Sequence, residues 1–333
     1  MPFLISFLPI LLLLFLLFWI DSFKLLSPKI LFIAILWGAA SALLAYPINT
    51  FLLNLFSNSI VTGLLAPTLE ESLKFLLIIH LIRKNRVCFL TDSLILGFAV
   101  GAGFSIVENI SYLNQLGEKE ILIWILRGFG TSFMHATASG TASVISQTIL
   151  GKKDRFKFRF LLIGLTSAVI IHGIFNSSLF PPVFMIASQL LLLPMFIFLL
   201  MQKSEASIKN WIDEQFESDV ILLSKIKSGE LSTTRTGKYL ISVKERFPAE
   251  VLVDMLGYVQ LYLSISIKVK GMLMIKEAGF DIPKDENIMA QLNELNALSK
   301  SIGKIGRMTL SPILKTNQKD FRKLTQLINE LNR

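Results

Sequence analysis

Residues 66–81, APTLEESLKFLLIIHL, are apolar enough to cross a membrane, yet they carry Glu70, Glu71 and Lys74 near the middle. An ionised side chain in hydrocarbon costs about 3 kcal/mol or more, so such residues are rare and face a protein interior or a water-filled cavity. Lys74 follows Glu70 by four residues and Glu71 by three, which lets one lysine neutralise a carboxylate on the same helix face.

The rest of the chain supports a membrane setting. Its 333 residues are 53% hydrophobic, include 26 Phe and hold only 17% charge, which a soluble domain rarely shows. The charge is uneven: residues 1–201 contain 8 acidic and 13 basic residues, and 202–333 contain 16 and 20. This divides the chain into a membrane bundle, 1–201, and a soluble domain, 202–333. The net charge of +9 then argues for no nucleic-acid partner, because the basic excess of the first part sits in short loops. Cys88 is the single cysteine, so no intrachain disulfide forms. The N-terminal MPFLISFLPILLLLFLLFWID lacks a basic start and a small-residue cleavage site, and reads as a retained first span.

A bilayer core of about 30 Å needs roughly 20 apolar residues as helix. That ruler places seven spans near 3–20, 30–52, 60–82, 93–116, 121–149, 158–178 and 182–201. Lys24 and Lys29 occupy the first loop, Arg83, Lys84 and Arg86 the third, and Lys152, Lys153, Arg155, Lys157 and Arg159 the fifth. Loops two and six carry no basic residue and loop four only Lys119. Basic loops stay inside, so the N-terminus is expected outside and the C-terminus in the cytoplasm. Gly97, Gly101 and Gly103 in LGFAVGAGF suit close helix approach. Pro47, Pro67 and Pro194 are candidate kinks.

Further polar residues fall within the spans: Glu108, Asn109, Arg127, His135, His172 and Asn176. His172 and Asn176 share a helix face, as do Phe104 and Glu108. Counted from the outer span ends, Glu70, Glu71, Glu108 and His172 lie about 10–15 Å deep. Four helices thus offer polar groups at compatible depth, which points to one buried site open to the outside. Lys74 reads as a counter-ion, Arg127 as either a site residue or one that snorkels outward, and His80 as an interfacial residue away from the cluster.

The sequences EESLK (70–74), FSIVEN (104–109), Arg127 followed by His135 and Gly140, and HGIFN (172–176) resemble the motifs of the PrsW family of intramembrane proteases. That family is related to the type II CAAX-prenyl endopeptidases and to a gamma-secretase scaffold subunit. The resemblance covers roughly residues 30–200. It implies hydrolysis of a peptide bond in a membrane-anchored protein near the outer half of the bilayer, such as the first cut in an anti-sigma-like regulator, by an integral protein of a bacterial cell membrane. The alternatives are a proteolytically inactive membrane scaffold and an ion or solute transporter using the buried carboxylates. The lack of an internal repeat speaks against the transporter.

Amide hydrolysis needs a base for water, donors for the oxyanion and an acid for the leaving amine. By comparison with the relatives, Glu70 is the expected general base, with Glu71 paired to Lys74 or supporting the water. His172 and Asn176 would polarise the carbonyl and hold the oxyanion, and Glu108 and His135 would orient water or donate a proton. Lys74, Asn109 and Arg127 support them. No H-E-x-x-H is present, and metal-free glutamate catalysis is the favoured expectation. Zn²⁺ held by His135, His172, Glu71 and Glu108 stays open.

Residues 202–333 read as an all-helical cytoplasmic domain without a catalytic motif, its role unassigned and a cytoplasmic protein one candidate partner. IKNWIDEQFESDVILLSKIKSG ends at Gly229 as an amphipathic helix, and Pro248 opens the next. VLVDMLGYVQLYLSISI, interrupted by Asp254 and Gln260, reads as a buried soluble helix rather than an eighth span. DFRKLTQLINELN closes the chain as a helix.

Overall fold

The computed structural model describes residues 2–21, 23–84, 86–116, 121–151, 158–177, 179–280, 285, 287–314 and 324–328. Helices and no strand occur among them. The chain divides into two compact units, Met1–Ser204 and Glu205–Arg333.

In the first unit, helices stand on every expected span. They are α1 (Pro2–Ile20), α2 (Pro28–Leu55), α3 (Ala66–Arg83), α4 (Leu90–Leu116), α5 (Ser132–Gly151), α6 (Phe158–Asn176) and the start of α7 (Pro182–Lys227). By length and apolar composition α2, α4 and α7 suffice to cross a membrane, while α1 and α6 are apolar but shorter. α3 fails that test because Glu70, Glu71, Lys74 and Arg83 interrupt it. Lys119, Lys152, Lys153, Arg155 and Lys157, on which the loop-charge orientation partly rests, lie outside the described residues.

α4 is the central helix. Leu94, Ile95, Leu96, Phe98, Ala99, Val100 and Ala102 are wholly buried between α2 and α5. Its glycines make this possible. A methyl added at Gly101 would land on the carbonyl oxygen of His135, and one at Gly103 on that of Ile35. By contrast α1, α2 and α7 turn Phe15, Trp19, Phe32, Leu43, Phe51, Leu191 and Phe198 outward, as lipid-facing helices do.

Two turns are wider than α-helix. Val61–Leu65 precedes α3 and Leu126–Thr131 precedes α5, each as a π-helical segment. In the first, the Ala66 N–H reaches back to the Val61 carbonyl. Pro67 follows directly and brings no N–H of its own, so the irregularity expected at Pro67 takes this form. π-Turns of this kind are frequent at functional sites.

The second unit holds α8 (Arg235–Val243), α9 (Ala249–Glu277), α10 (Ile288–Ser301) and α11 (Gly303–Leu314). One expectation needs correction. The helix ending at Gly229 is not separate: it is the end of α7, a 46-residue helix, because no breaker stands between Met201 and Lys227. Gly229 then terminates it with φ +77°. VLVDMLGYVQLYLSISI belongs to a helix of 29 residues, long and apolar enough by composition to cross a membrane. Its Met255, Val259, Leu263 and Leu273 are buried, and it packs on α10 and α11. Of the closing helix, only residues 324–328 are described, with Leu324, Leu327 and Ile328 buried.

Gly101→Ala is expected to lower the apparent Tm in detergent, since forcing a methyl into a filled interface costs about 1–3 kcal/mol. Gly271→Ala, with nothing within 4 Å of the added methyl, should leave it unchanged or raise it. Thermal unfolding of the two variants checks this.

Candidate active site

Adjacent residues on a helix point about 100° apart, so Glu70 and Glu71 have different neighbours. Glu71 and Lys74 share the inward face of α3, with side chains 1% and 0% exposed, and their Oε1 and Nζ atoms are 2.6 Å apart. Glu71 Oε1 also accepts from His172 Nδ1 at 2.9 Å, and Oε2 from the Ser139 hydroxyl at 3.3 Å. The Lys74 ammonium lies 2.9 Å from His135 Nδ1 and 4.0 Å from the centre of the Phe104 ring.

These contacts assign the histidine protons. An ammonium only donates, so His135 Nδ1 accepts from Lys74 and its Nε2–H donates to Glu108 Oε2 at 2.8 Å. A carboxylate only accepts, so His172 Nδ1–H donates to Glu71. His172 Nε2 then lies on the side of Glu70, whose Oε2 is 3.8 Å away. Each histidine thus has its own carboxylate: Glu71 for His172 and Glu108 for His135.

Arg127 comes from the π-helical turn before α5 and does not snorkel outward. Its Nη2 is 3.2 Å from Glu108, its Nε donates to Asn109 Oδ1 at 2.9 Å, and its guanidinium lies 3.5 Å from the Tyr112 ring centre. Asn109 in turn donates to the Ser6 carbonyl and the Ser132 hydroxyl, tying α4 to α1 and α5. Asn176, expected to hold an oxyanion, donates at 3.3 Å to the Thr62 carbonyl in the first π-turn. This contact anchors α6 to that turn. His80 is exposed at the end of α3, apart from the cluster.

Exposure separates a floor from a rim. Glu71, Lys74, His135 and His172 are at most 3% exposed, whereas Glu70 is 13% and Glu108 27% exposed. Two residues escaped the sequence reading. Asn49 on α2 donates its Nδ2 to Glu70 Oε1 at 2.8 Å, and Ser139 on α5 reaches Glu71. Asn49 carries a signal, a carboxamide two residues after Pro47 in an apolar span. Ser139 carries none, because serine is common in membrane helices.

The ligand atoms that come together differ from the sequence reading. One atom each of Glu70, His135 and His172 lie within 4.8 Å of one another. Glu70 therefore stands where Glu71 and Glu108 were expected: Glu71 is engaged by His172 Nδ1 and Lys74, and Glu108 by His135 Nε2 and Arg127.

Among known proteins, the chain matches a family model described as PrsW family intramembrane metalloprotease over residues 27–201. The chain belongs to the PrsW family. The match runs from just before α2 into α7 and includes every site residue named above except Ser6. Comparison with curated proteins and with solved structures found no match. PrsW membership makes this chain an integral membrane protein and an intramembrane protease.

The donor set fits a divalent cation. Two imidazoles and a carboxylate are a known catalytic zinc set, and a histidine whose other nitrogen donates to a carboxylate is the usual outer-sphere arrangement. His172 has that arrangement already, through Glu71. His135 has both nitrogens engaged and would exchange one partner to bind.

Asn49→Ala is expected to slow cleavage about 10-fold or more with little change in Tm, because losing an orienting contact to a site carboxylate costs about 10–100-fold. Initial rates set beside thermal unfolding check it. Rates equal to wild type would show that Asn49 does not act on Glu70.

Proposed function

We propose that this PrsW protein is an endopeptidase that cuts a membrane-anchored protein in the outer half of the bilayer, at the rim formed by Glu70 and Glu108. The observation that carries this reading is His172: its Nδ1–H is fixed by the buried Glu71 and its Nε2 is left open toward Glu70. A histidine held in this way presents one lone pair at the accessible carboxylate, which suits activation of water. An anti-sigma-like regulator is the substrate class that the family resemblance suggests. The basic loops support an outer N-terminus and a cytoplasmic C-terminal unit in a bacterial cell membrane.

In this reading Glu70, His172 and His135 would hold a divalent cation. Such an ion, when bound, acidifies a water and polarises the scissile carbonyl. Glu108, on the rim and oriented by Arg127 and His135, is the carboxylate that accepts the water's proton. Arg127 keeps Glu108 directed, and Ser139 and Lys74 keep Glu71 directed at His172. As the C–N bond breaks, the leaving amine takes from Glu108 the proton that came from the water.

One observation favours a second route. Both nitrogens of His135 are engaged, and the Lys74 ammonium already supplies a positive charge beside Nδ1. Without a metal, Glu70 would itself take the proton of water, with Asn49 fixing one oxygen, and His172 in its doubly protonated form would donate Nε2–H to the oxyanion.

Cleavage of a panel of single-span substrates by purified protein, with metal content measured alongside, tests both. The cation reading expects about one bound metal per chain and loss of cleavage with a chelator. It further expects Glu70→Ala to lose the metal, and Glu108→Gln to keep the metal while slowing cleavage about 100-fold or more. The metal-free route expects no metal, indifference to chelator, and a comparable loss in Glu70→Gln. Unchanged cleavage in Glu70, Glu71 and His172 variants would overturn the site altogether.

A further inference from the structure

The second unit carries a feature that peptide hydrolysis does not use. α11 has two faces: Gly306, Leu310 and Leu314 are buried, whereas Lys304, Ile305, Arg307, Met308 and Ser311 are exposed. Ile305 is 72% and Met308 65% exposed, each beside a cation. The face is held firmly. Arg307 Nη1 donates to the Ser299 carbonyl at 2.6 Å, and the Tyr239 hydroxyl of α8 donates to the Thr309 carbonyl at 3.1 Å.

Charge singles out the same stretch. Residues 296–319 contain Lys300, Lys304, Arg307, Lys315 and Lys319 and no acidic residue. Residues 205–295 hold 14 acidic and 11 basic residues, so the positive charge of this unit is not spread along it.

We propose that the outward face of α11 docks on the headgroup region of an anionic lipid bilayer. Cations alternating with exposed apolar side chains on one helix face are the signature of an interfacial helix, and clustered Lys and Arg add attraction to anionic headgroups. A nucleic acid or an acidic protein would satisfy the cations but leave Ile305 and Met308 in water. A second copy of the same face would set like charges against each other. The chain is an integral membrane protein, so a bilayer surface is always at high effective concentration. The inference does not rest on the peptidase chemistry.

The test uses the full chain with Cys88→Ala, bearing an environment-sensitive fluorophore at Met308→Cys or, separately, at Ile305→Cys. A label at Asn293→Cys, an exposed position on α10, serves as control. Each is reconstituted in phosphatidylcholine vesicles with and without phosphatidylglycerol. The expected result is a blue-shifted emission, quenched by lipid-chain quenchers, that appears with phosphatidylglycerol at 305 and 308 but not at 293. Raising salt or introducing Lys304→Gln with Arg307→Gln should remove it. Identical emission in both vesicle types would overturn the proposal. So would a shift that persists in detergent without lipid, or one that grows with protein-to-lipid ratio, the mark of a second copy.

Discussion

The buried pair of Glu71 and Lys74 is the interaction on which the site depends. Both side chains are withdrawn from solvent, and desolvating two ions is costly enough that an apolar pair of similar volume would often be more stable. The pair survives because its remaining hydrogen-bonding capacity is used. Glu71 takes donors from Lys74, His172 and Ser139, and Lys74 donates to His135 and lies over the Phe104 ring. These contacts assign the proton on each imidazole. Removing either partner would leave an uncompensated charge and free the histidine it holds, His172 for Glu71 and His135 Nδ1 for Lys74.

The scaffold around the pair serves the same end. Gly97 and Gly101 of α4 bring it against the backbone of α5, which places Glu108 beside His135. The two π-turns act at the opposite ends of the site. One supplies the carbonyl that Asn176 grips, and the other projects Arg127 toward Glu108 and Asn109 rather than toward solvent. Local irregularity in both helices is thus coupled to the position of a site side chain.

Much of this is legible in the sequence. Ionised residues in apolar spans are conspicuous, and EESLK, FSIVEN and HGIFN sit on helices that do converge. Periodicity put both Glu70 and Glu71 within reach of Lys74. It could not show which carboxylate faces the accessible side, because that depends on how α3 rotates against α5 and α6. The partner of Asn176 is hidden for a related reason: it is a backbone carbonyl in a π-turn, and a π-turn has no sequence signature beyond the nearby Pro67. Asn49 was overlooked because it lies on α2, outside the motifs. α7 runs on past Met201 because nothing there stops a helix, so the change in hydropathy near residue 201 does not end an element.

The most direct test of this account is a double-mutant cycle on Glu71 and Lys74, read by thermal unfolding in detergent. Lys74→Met alone should be strongly destabilising, on the order of 3–5 kcal/mol, because it strands a buried carboxylate. Adding Glu71→Gln should recover much of that loss, so that the double variant is clearly more stable than the sum of the two single changes. Additive effects would mean that the two residues do not act as one buried pair, and the account of the site built on them would fail.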